Sequence, residues 1–232
     1  MAIIPRAGGC LLSPDPRWPR HGALLPLVVP FLPAGELAHD LLHLQRVYCW
    51  AIRLAPEVAA DPDLCGAAAL VHDLVFVAKD APERSTGGER SAAAAPAVLA
   101  RAGYAAAEIA VVAEAVRTSS WSRGLAPTNP EGVVLQDADR LDALGAVGLL
   151  RTAACGQHMS RPDRPGRFYD PADPCAATPR ALDDRTQVVD HLPAKLLRLA
   201  RGMHTPTGKI EGARRHDYLL DFLGELARET AP

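Results

Sequence analysis

The apolar residues of this chain recur at the spacing of a helix and almost nowhere at the spacing of a strand. A first stripe, at intervals of mostly three or four, is formed by Leu37, Leu41, Leu44, Val47 and Ile52. Such intervals place side chains on one face of a helix. Period-two alternation is absent and β-branched residues are sparse, whereas alanine is abundant. The pattern therefore predicts an all-α fold.

Proline and glycine divide the helical pattern into separate predicted helices. They span about residues 35–55, 63–78, 91–101, 105–118, 131–154, 184–203 and 209–229. A polar segment rich in proline and glycine lies before the last two, at about 156–185. A loop of this length is typical of a lid or a wall of a substrate site.

The first 33 residues contain several prolines, and we predict an irregular N-terminal arm there. The chain has 232 residues, of which 48% are hydrophobic, and this is ample for one buried core. We therefore expect an arm over residues 1–33 and a single helical domain over residues 34–230.

Acidic and basic residues nearly balance, which disfavours strongly charged partners. The chain has 25 Lys and Arg against 27 Asp and Glu, a net charge of −2. It therefore has no basic excess for nucleic acid or an anionic membrane. The apolar run at 22–33 is cut by prolines and shorter than the roughly 20 residues that span a bilayer. Five widely spaced cysteines without a CxxC pair fit a reducing compartment. We expect a cytoplasmic protein that acts on a small molecule.

The segment LVHDLV places His72 beside Asp73 in a predicted apolar helix. An imidazole nitrogen and a carboxylate oxygen are both ligands for divalent first-row ions, and a buried carboxylate without a partner is costly. The dipeptide alone is a weak motif. It gains weight from His43 in HLQRV, on the preceding predicted helix, and from the acidic segment QDADRLDALGA at 136–146.

Three aspartates stand close together in that acidic segment, namely Asp137, Asp139 and Asp142. On one helix they do not share a face, so they cannot all bind the same ion. We expect one of them to face the site. The others would cap a helix, pair with Arg140 or Arg151, or lie exposed.

The order of these motifs, H, then HD, then a distant D, resembles the HD superfamily of metal-dependent phosphohydrolases. The segments YDPADP and DHLPAKLLRLARGMHT extend the likeness to an uncharacterised bacterial branch, over about residues 36–229. The resemblance implies a single HD-type domain with a divalent metal ion, which these donor types leave open among Mn, Mg, Co, Ni, Fe and Zn. The implied ligands are His43, His72, Asp73 and Asp139. Asp139 is preferred over Asp137 because the superfamily has its last ligand in an Ala-Asp-x-Leu context.

A divalent ion of this kind activates water for attack on phosphorus, and the phosphate then needs cationic contacts. Lys79 and Arg84, in the loop after the His-Asp segment, are the first candidates; Arg46, Arg140 and Lys195 are further ones. The predicted catalytic residues are Asp73, Lys79, Arg84 and Asp142. The expected partner is a small phosphorylated metabolite, with a nucleotide preferred, and a homodimer remains open.

Several positions depart from other HD enzymes. Phe76 and Val77 stand where alarmone hydrolases carry an acidic pair, which disfavours that activity and the 5′-nucleotidase activity. Ser119 stands where the bacterial branch has a histidine, and a hydroxyl cannot replace an imidazole as base or ligand. The general acid or base is therefore unassigned.

Two alternatives stay open at this stage. One is a metal-bearing nucleotide-binding or regulatory module with little turnover, suggested by the missing acids and histidine. The other is a di-iron oxygenase-type HD protein, which would need extra histidines such as His39 and His191 near the site. His39 lies one helical turn before His43, and the family pattern places it outside the ligand set.

Overall fold

A computed structural model describes residues 14–231 of this chain. These residues form α-helices joined by short 3₁₀ turns, with no β-sheet between residues 14 and 231, which confirms the predicted all-α fold. None of the helices in that range combines the length and the hydropathy of a transmembrane segment. The helices are α1 Pro19–Val28, α2 Leu41–Leu54, α3 Pro62–Val71, α4 Gly87–Arg101, α5 Ala106–Thr118, α6 Pro130–Asp142, α7 Gly145–Met159, α8 Leu197–Leu199 and α9 Pro206–Glu229.

Helix α3 lies at the centre of the fold and packs against α1, α2, α5 and α6. Every residue from Leu64 to Val71 is buried, so this helix is apolar all round, as a helix with neighbours on every side must be. Around it, α2 turns Leu44, Val47 and Leu54 into the core. Each such side chain contributes roughly 1.5–3 kcal/mol when fully buried.

Helix α2 begins later than its apolar stripe predicts. Leu37 is 72% exposed and lies before the helix. Asp40 is the N-cap, and its carboxylate accepts a hydrogen bond from the His43 backbone N–H at 2.9 Å. This cap satisfies a backbone donor that the first turn leaves without a helical partner. It also fixes His43 in the first turn, with its side chain in the core.

Helix α3 ends earlier than predicted, at Val71 rather than near residue 78. His72 is its C-cap, and the ring Nδ1 hydrogen-bonds the Ala69 carbonyl at 2.8 Å. The Val75 backbone N–H donates to Ser91 Oγ of α4 at 3.0 Å, instead of to a carbonyl one turn back. The His-Asp pair therefore stands at the open end of α3, not within a helix.

The helix predicted over 131–154 is two helices. Helix α6 ends at Asp142 and α7 begins at Gly145, whose φ of +69° lies in the left-handed region that favours glycine. A Cβ at Gly148 would overlap the carbonyl of Ala143, so only glycine permits this tight corner. The corner directs α7 along α9 and leaves Asp142 in the last turn of α6.

The predicted irregular arm is wrong for residues 19–31, which form α1 and a 3₁₀ turn. Pro19 occupies a first-turn position, where a helix needs no backbone N–H. The fully buried ring of His21 hydrogen-bonds the Tyr48 hydroxyl and the Asp63 carbonyl, both at 2.8 Å. These contacts attach α1 to α2 and α3. The arm up to residue 13 lies outside the described residues.

The predicted helix over 184–203 starts only at Leu192, with a π turn that leads into α8 and a 3₁₀ turn. The connection between α7 and this π turn is held by ion pairs rather than by regular structure. Arg180 donates to Asp190 at 2.7 Å and to Asp173 at 2.9 Å, and both carboxylates are buried. These ion pairs give the predicted long loop a defined conformation although it has little regular secondary structure.

Candidate metal centre and pocket

The four predicted metal ligands come together from three separate parts of the fold. The Nε2 atoms of His43 and His72 lie 3.2 Å apart. Asp73 Oδ2 is 3.4 and 3.5 Å from these two atoms, and Asp139 Oδ1 is 3.8 and 3.9 Å from them. Ligand atoms about 2.1 Å from one ion lie about 3 to 4 Å from one another. The donor atoms of His43, His72 and Asp73 all lie within 4.8 Å of one another and fit a single small cation, and Asp139 borders this group through its distances to the two imidazoles.

Hydrogen bonds at the other ring nitrogens leave both Nε2 atoms as acceptors. His43 Nδ1 donates to Asp142 Oδ2 at 2.7 Å, and His72 Nδ1 donates to the Ala69 carbonyl at 2.8 Å. Two lone pairs that face each other at 3.2 Å repel unless a proton or a cation lies between them. A divalent ion would satisfy both nitrogens and the adjacent carboxylates, and imidazole with carboxylate suits first-row metals. The donor set therefore fits the predicted ion.

The protonation of these groups also suits a cation. Burial by itself raises the pKa of Asp73, but the imidazoles of His72 and His43 outweigh it and hold that pKa well below its usual range. The same opposition lowers the pKa of Asp139. Both side chains are about one third exposed, at 33% and 34%, so their oxygens face the pocket. They are carboxylates at neutral pH, as metal ligands must be.

Asp142 lies behind His43 rather than in the pocket. Its buried carboxylate accepts a hydrogen bond from Arg46 Nε at 2.5 Å and forms an ion pair with Arg151 at 3.1 Å. Burial opposes ionisation, but these partners and His43 hold the pKa of Asp142 far below its usual range. A charged carboxylate on Nδ1 fixes the tautomer and orientation of a metal-binding imidazole. This location corresponds to a positioning role rather than to the direct catalytic role predicted from the sequence.

Asp137 points away from the ligand cluster. Its buried carboxylate accepts hydrogen bonds from the Thr205 hydroxyl at 2.7 Å, the Thr205 N–H at 2.8 Å and the His204 N–H at 3.0 Å. It thereby ties α6 to the start of α9. Of the three clustered aspartates, only Asp139 lies beside the imidazole Nε2 atoms.

A pocket of about 390 Å³ opens over the ligand cluster. Its walls come from the end of α3, the start of α4, the segment after α5, α7 and the π turn. Pockets for small metabolites have this size. Five cationic side chains line it, namely Lys79, Arg84, Arg140, Arg151 and Lys195. Such a wall favours an anionic ligand such as a phosphate.

The two lysines are the cations without a neutralising partner. Within residues 14–231, neither Lys79 nor Lys195 forms an ion pair or a hydrogen bond. Burial, reinforced by the charge of Lys79, lowers the pKa of Lys195 to about 8. The arginines are engaged, by Asp184 for Arg84, by Gly202 and Gln136 for Arg140, and by Asp142 for Arg151.

Two further histidines on the pocket wall are each paired with a carboxylate. His191 Nδ1 lies 2.9 Å from Asp184 Oδ2, and His39 Nδ1 lies 2.6 Å from Glu36 Oε2. Sequence reasoning did not identify the first pair as a unit, although LDD seven residues before DH was an available signal. Glu36, His39 and Cys155 also form a second group with donor atoms within 4.8 Å of one another.

The three positions at which the sequence departs from the pattern it resembles all lie on the pocket wall. Ser119 is buried, and its hydroxyl donates to the Val116 carbonyl at 2.8 Å. The Phe76 ring packs against His39, with centroids 5.6 Å apart, and Val77 adds another apolar side chain. None of these three side chains can transfer a proton in hydrolysis.

Comparison with known proteins places these features in a wider group. A family model described as HD domain matches residues 41–144. The uncharacterised protein YpgQ of Bacillus subtilis is 30% identical over 194 residues, which is 82% of this chain and 84% of YpgQ.

Three solved structures resemble the whole fold. A Lactobacillus plantarum protein has a TM-score of 0.71 and 28% identity, covering 90% of this chain and 96% of its own. B. subtilis YpgQ in complex with ADP has a TM-score of 0.65 and 27% identity, covering 90% and 97%. An HD-superfamily hydrolase of Bacillus thuringiensis has a TM-score of 0.64 and 28% identity, covering 90% and 96%.

Proposed function

Because the chain belongs to the HD domain family, we propose that it is a divalent-metal-dependent phosphohydrolase that acts on a small phosphorylated metabolite of the nucleotide class. The observation that carries this proposal is the meeting of the His43 and His72 Nε2 atoms, 3.2 Å apart, with carboxylate oxygens on the pocket side. A cation between these facing acceptors would remove the repulsion of their lone pairs.

The chemistry follows from where each group lies. A divalent ion held by the four acceptors would bring the pKa of a bound water towards neutrality and polarise a phosphoryl oxygen. Asp142 keeps the His43 ring aligned through its 2.7 Å hydrogen bond. Lys79 and Lys195 supply positive charge to the non-bridging phosphate oxygens, and Arg84 is within the same pocket.

Two observations favour a nucleotide. The related YpgQ was crystallised with ADP, and its chain aligns with 90% of this one. The pocket also has aromatic lining residues, Phe76 and Trp121, beside its cationic side chains. An apolar wall next to a phosphate-binding wall is suited to a base and its phosphates.

The test is a metal and substrate screen on protein purified without chelator. Elemental analysis identifies the metal, and release of phosphate and pyrophosphate is measured from nucleoside mono-, di- and triphosphates and sugar phosphates with Mn, Mg, Co and Ni. We expect Asp73→Ala to reduce turnover by about a hundredfold or more, because a ligand is lost. Asp217→Ala, at an exposed position on α9, is the matched control and should keep wild-type turnover.

The outcomes separate the candidate functions. Release of neither product by the wild type with any of the metals would refute the phosphohydrolase proposal. Nucleotide bound without turnover would support a binding or regulatory module. Bound iron with ultraviolet-visible absorption bands would support oxygen chemistry.

A further inference from the structure

The hydrolysis proposed above needs a proton acceptor, and few groups of the pocket wall can serve. The carboxylates of Asp73 and Asp139 belong to the ligand cluster. Ser119 donates its hydroxyl to a backbone carbonyl. Burial raises the pKa of the Cys155 thiol, so it stays protonated. Hydroxyl groups are poor bases at neutral pH, and the remaining imidazoles among the described residues of this wall are those of His39 and His191.

Access distinguishes these two imidazoles. The His191 side chain lines the pocket and is 28% exposed, whereas that of His39 is 8% exposed. The His39 ring also packs against the rings of His43 and Phe76, with centroids 5.8 and 5.6 Å away. His191 is therefore the imidazole that a water molecule and a substrate can reach.

The partner of His191 defines which ring nitrogen is available. Its Nδ1 donates to Asp184 Oδ2 at 2.9 Å, so the neutral ring carries its lone pair at Nε2. Asp184 is itself 3.8 Å from Arg84. A histidine oriented by a carboxylate, with Nε2 directed to the substrate, is a recurrent arrangement for a general base.

We propose that His191, oriented by Asp184, is the general base of this hydrolysis, a role that rests on the function proposed above. As the water oxygen forms its bond to phosphorus, one water proton passes to Nε2. The bond from phosphorus to the leaving oxygen breaks, and its electron pair stays on that oxygen. The imidazolium returns the proton to the leaving group or to solvent, so one water is consumed and the base is regenerated.

The charges around His191 keep it ready to accept a proton. Burial lowers its pKa, the Asp184 carboxylate opposes this, and the ammonium groups of Lys195 and Lys79 lower it further, leaving the pKa below its ordinary value. Lys195 lies on the same helical segment, while Asp184, Lys79 and Arg84 come from other segments. At neutral pH the ring is therefore uncharged.

The experiment compares His191→Gln with the wild type, using Mn²⁺ with ATP and with p-nitrophenyl phosphate. We expect kcat to fall by about 10²- to 10³-fold for both substrates, since a base acts on water and not on the leaving group. The acidic limb of the kcat/KM profile should disappear, whereas Mn²⁺ content and ADP affinity should stay within about twofold. His216→Gln removes another aspartate-paired histidine, on α9 outside the pocket wall, and should leave kcat unchanged.

Two additional variants guard against a purely structural effect. Asp184→Asn keeps the imidazole but removes its charged partner, and kcat should fall by up to about 10⁴-fold, because asparagine can hold the ring in the wrong tautomer. If His191→Gln loses the circular-dichroism signal of its helices, the Asp184→Asn variant is used in its place. In His191→Ala, free imidazole should restore part of the activity, while the same imidazole should not accelerate the wild type.

The contrary outcomes are distinct. A wild-type kcat in His191→Gln, or a loss confined to His39→Gln, would overturn the base assignment and leave hydrolysis standing. A loss with ATP but not with p-nitrophenyl phosphate would make His191 an acid for the leaving group and also overturn it. Failure of the wild type to hydrolyse either compound would refute the proposed function, and the base with it.

Discussion

Replacing Asp142 by Asn is expected to weaken metal binding although no metal ligand is changed. The Asp142 carboxylate holds His43 Nδ1 at 2.7 Å and is paired with Arg46 and Arg151. Asparagine has nearly the same size but no charge. The asparagine amide oxygen can still accept a hydrogen bond from the His43 Nδ1–H, but a neutral oxygen no longer increases the electron density at Nε2. The amide can also turn its NH₂ group towards Nδ1, which a carboxylate cannot do.

The magnitude follows from these contacts. Removing the carboxylate behind a metal-binding histidine lowers metal affinity by roughly 10- to 100-fold, or about 1.4–2.7 kcal/mol. Arg46 can turn towards solvent, whereas the less exposed Arg151 stays beside a neutral group. Arg151 also donates to the Ala38 carbonyl at 2.7 Å, which limits the damage. We therefore expect a stability loss of about 1–3 kcal/mol, below the 3–5 kcal/mol typical of a broken buried pair.

Calorimetric titration with Mn²⁺ measures the affinity, and urea unfolding of the metal-free protein measures the stability. Asp137→Asn is the matched control, because it is another buried, hydrogen-bonded aspartate of α6 that holds Thr205 and not a histidine. It should lose stability and keep its affinity for Mn²⁺. Wild-type affinity in Asp142→Asn, or an equal loss in Asp137→Asn, would refute the reasoning, because the effect would then not pass through His43.

Three other predictions concern the pocket, the core and the ion. ADP affinity should fall as the pH rises through about 8, the lowered pKa of Lys195, because the Lys195 ammonium is charged below that pH and neutral above it. Calorimetry at about pH 7 and about pH 9 measures this change, and Lys195→Gln should bind ADP more weakly and equally at both pH values. Gly66→Ala should reduce the free energy of unfolding by about 1–3 kcal/mol, because a Cβ at this position would overlap the buried His21 ring. Gly22→Ala is the control, since its Cβ would meet nothing within 4 Å, and urea titrations of the two variants should show a loss only for Gly66→Ala. Chelation should lower Tm by several degrees in a thermal shift assay, and Mn²⁺ should restore it; an unchanged Tm would count against an ion that binds the folded state.

Helical periodicity was sufficient for the fold class but not for the helix ends. The prolines near the N-terminus predict an irregular segment, yet Pro19 stands at a helix start, where it is tolerated, and the burial of His21 stabilises α1. Apolar residues continue past Val71, so the pattern predicted a longer α3. The helix stops because the Val75 N–H bonds to Ser91, a contact between distant residues that no local pattern contains.

For the site, too, the sequence predicted some features and not others. A resemblance over short motifs predicted which residues approach one another, and the ligand atoms of His43, His72 and Asp139 do lie within 3.9 Å. The resemblance did not predict that Asp142 lies behind His43 and outside the pocket, because this position depends on which face of α6 packs against α2. The pairing of His191 with Asp184 arises in an irregular segment, where neither helical nor strand periodicity applies.

Helix α6 carries three aspartates with three different tasks, and their angular separation has an evolutionary consequence. At about 100° per residue, Asp139 and Asp142 lie about 60° apart, while Asp137 lies about 160° from Asp139. Point substitutions elsewhere on the helix leave these angular positions of the three aspartates unchanged. A one-residue insertion or deletion between Asp137 and Asp142 would rotate every later residue by about 100°, and the bonds to α9 and to His43 could no longer coexist. We expect lineages of this protein to vary in composition here but never in length.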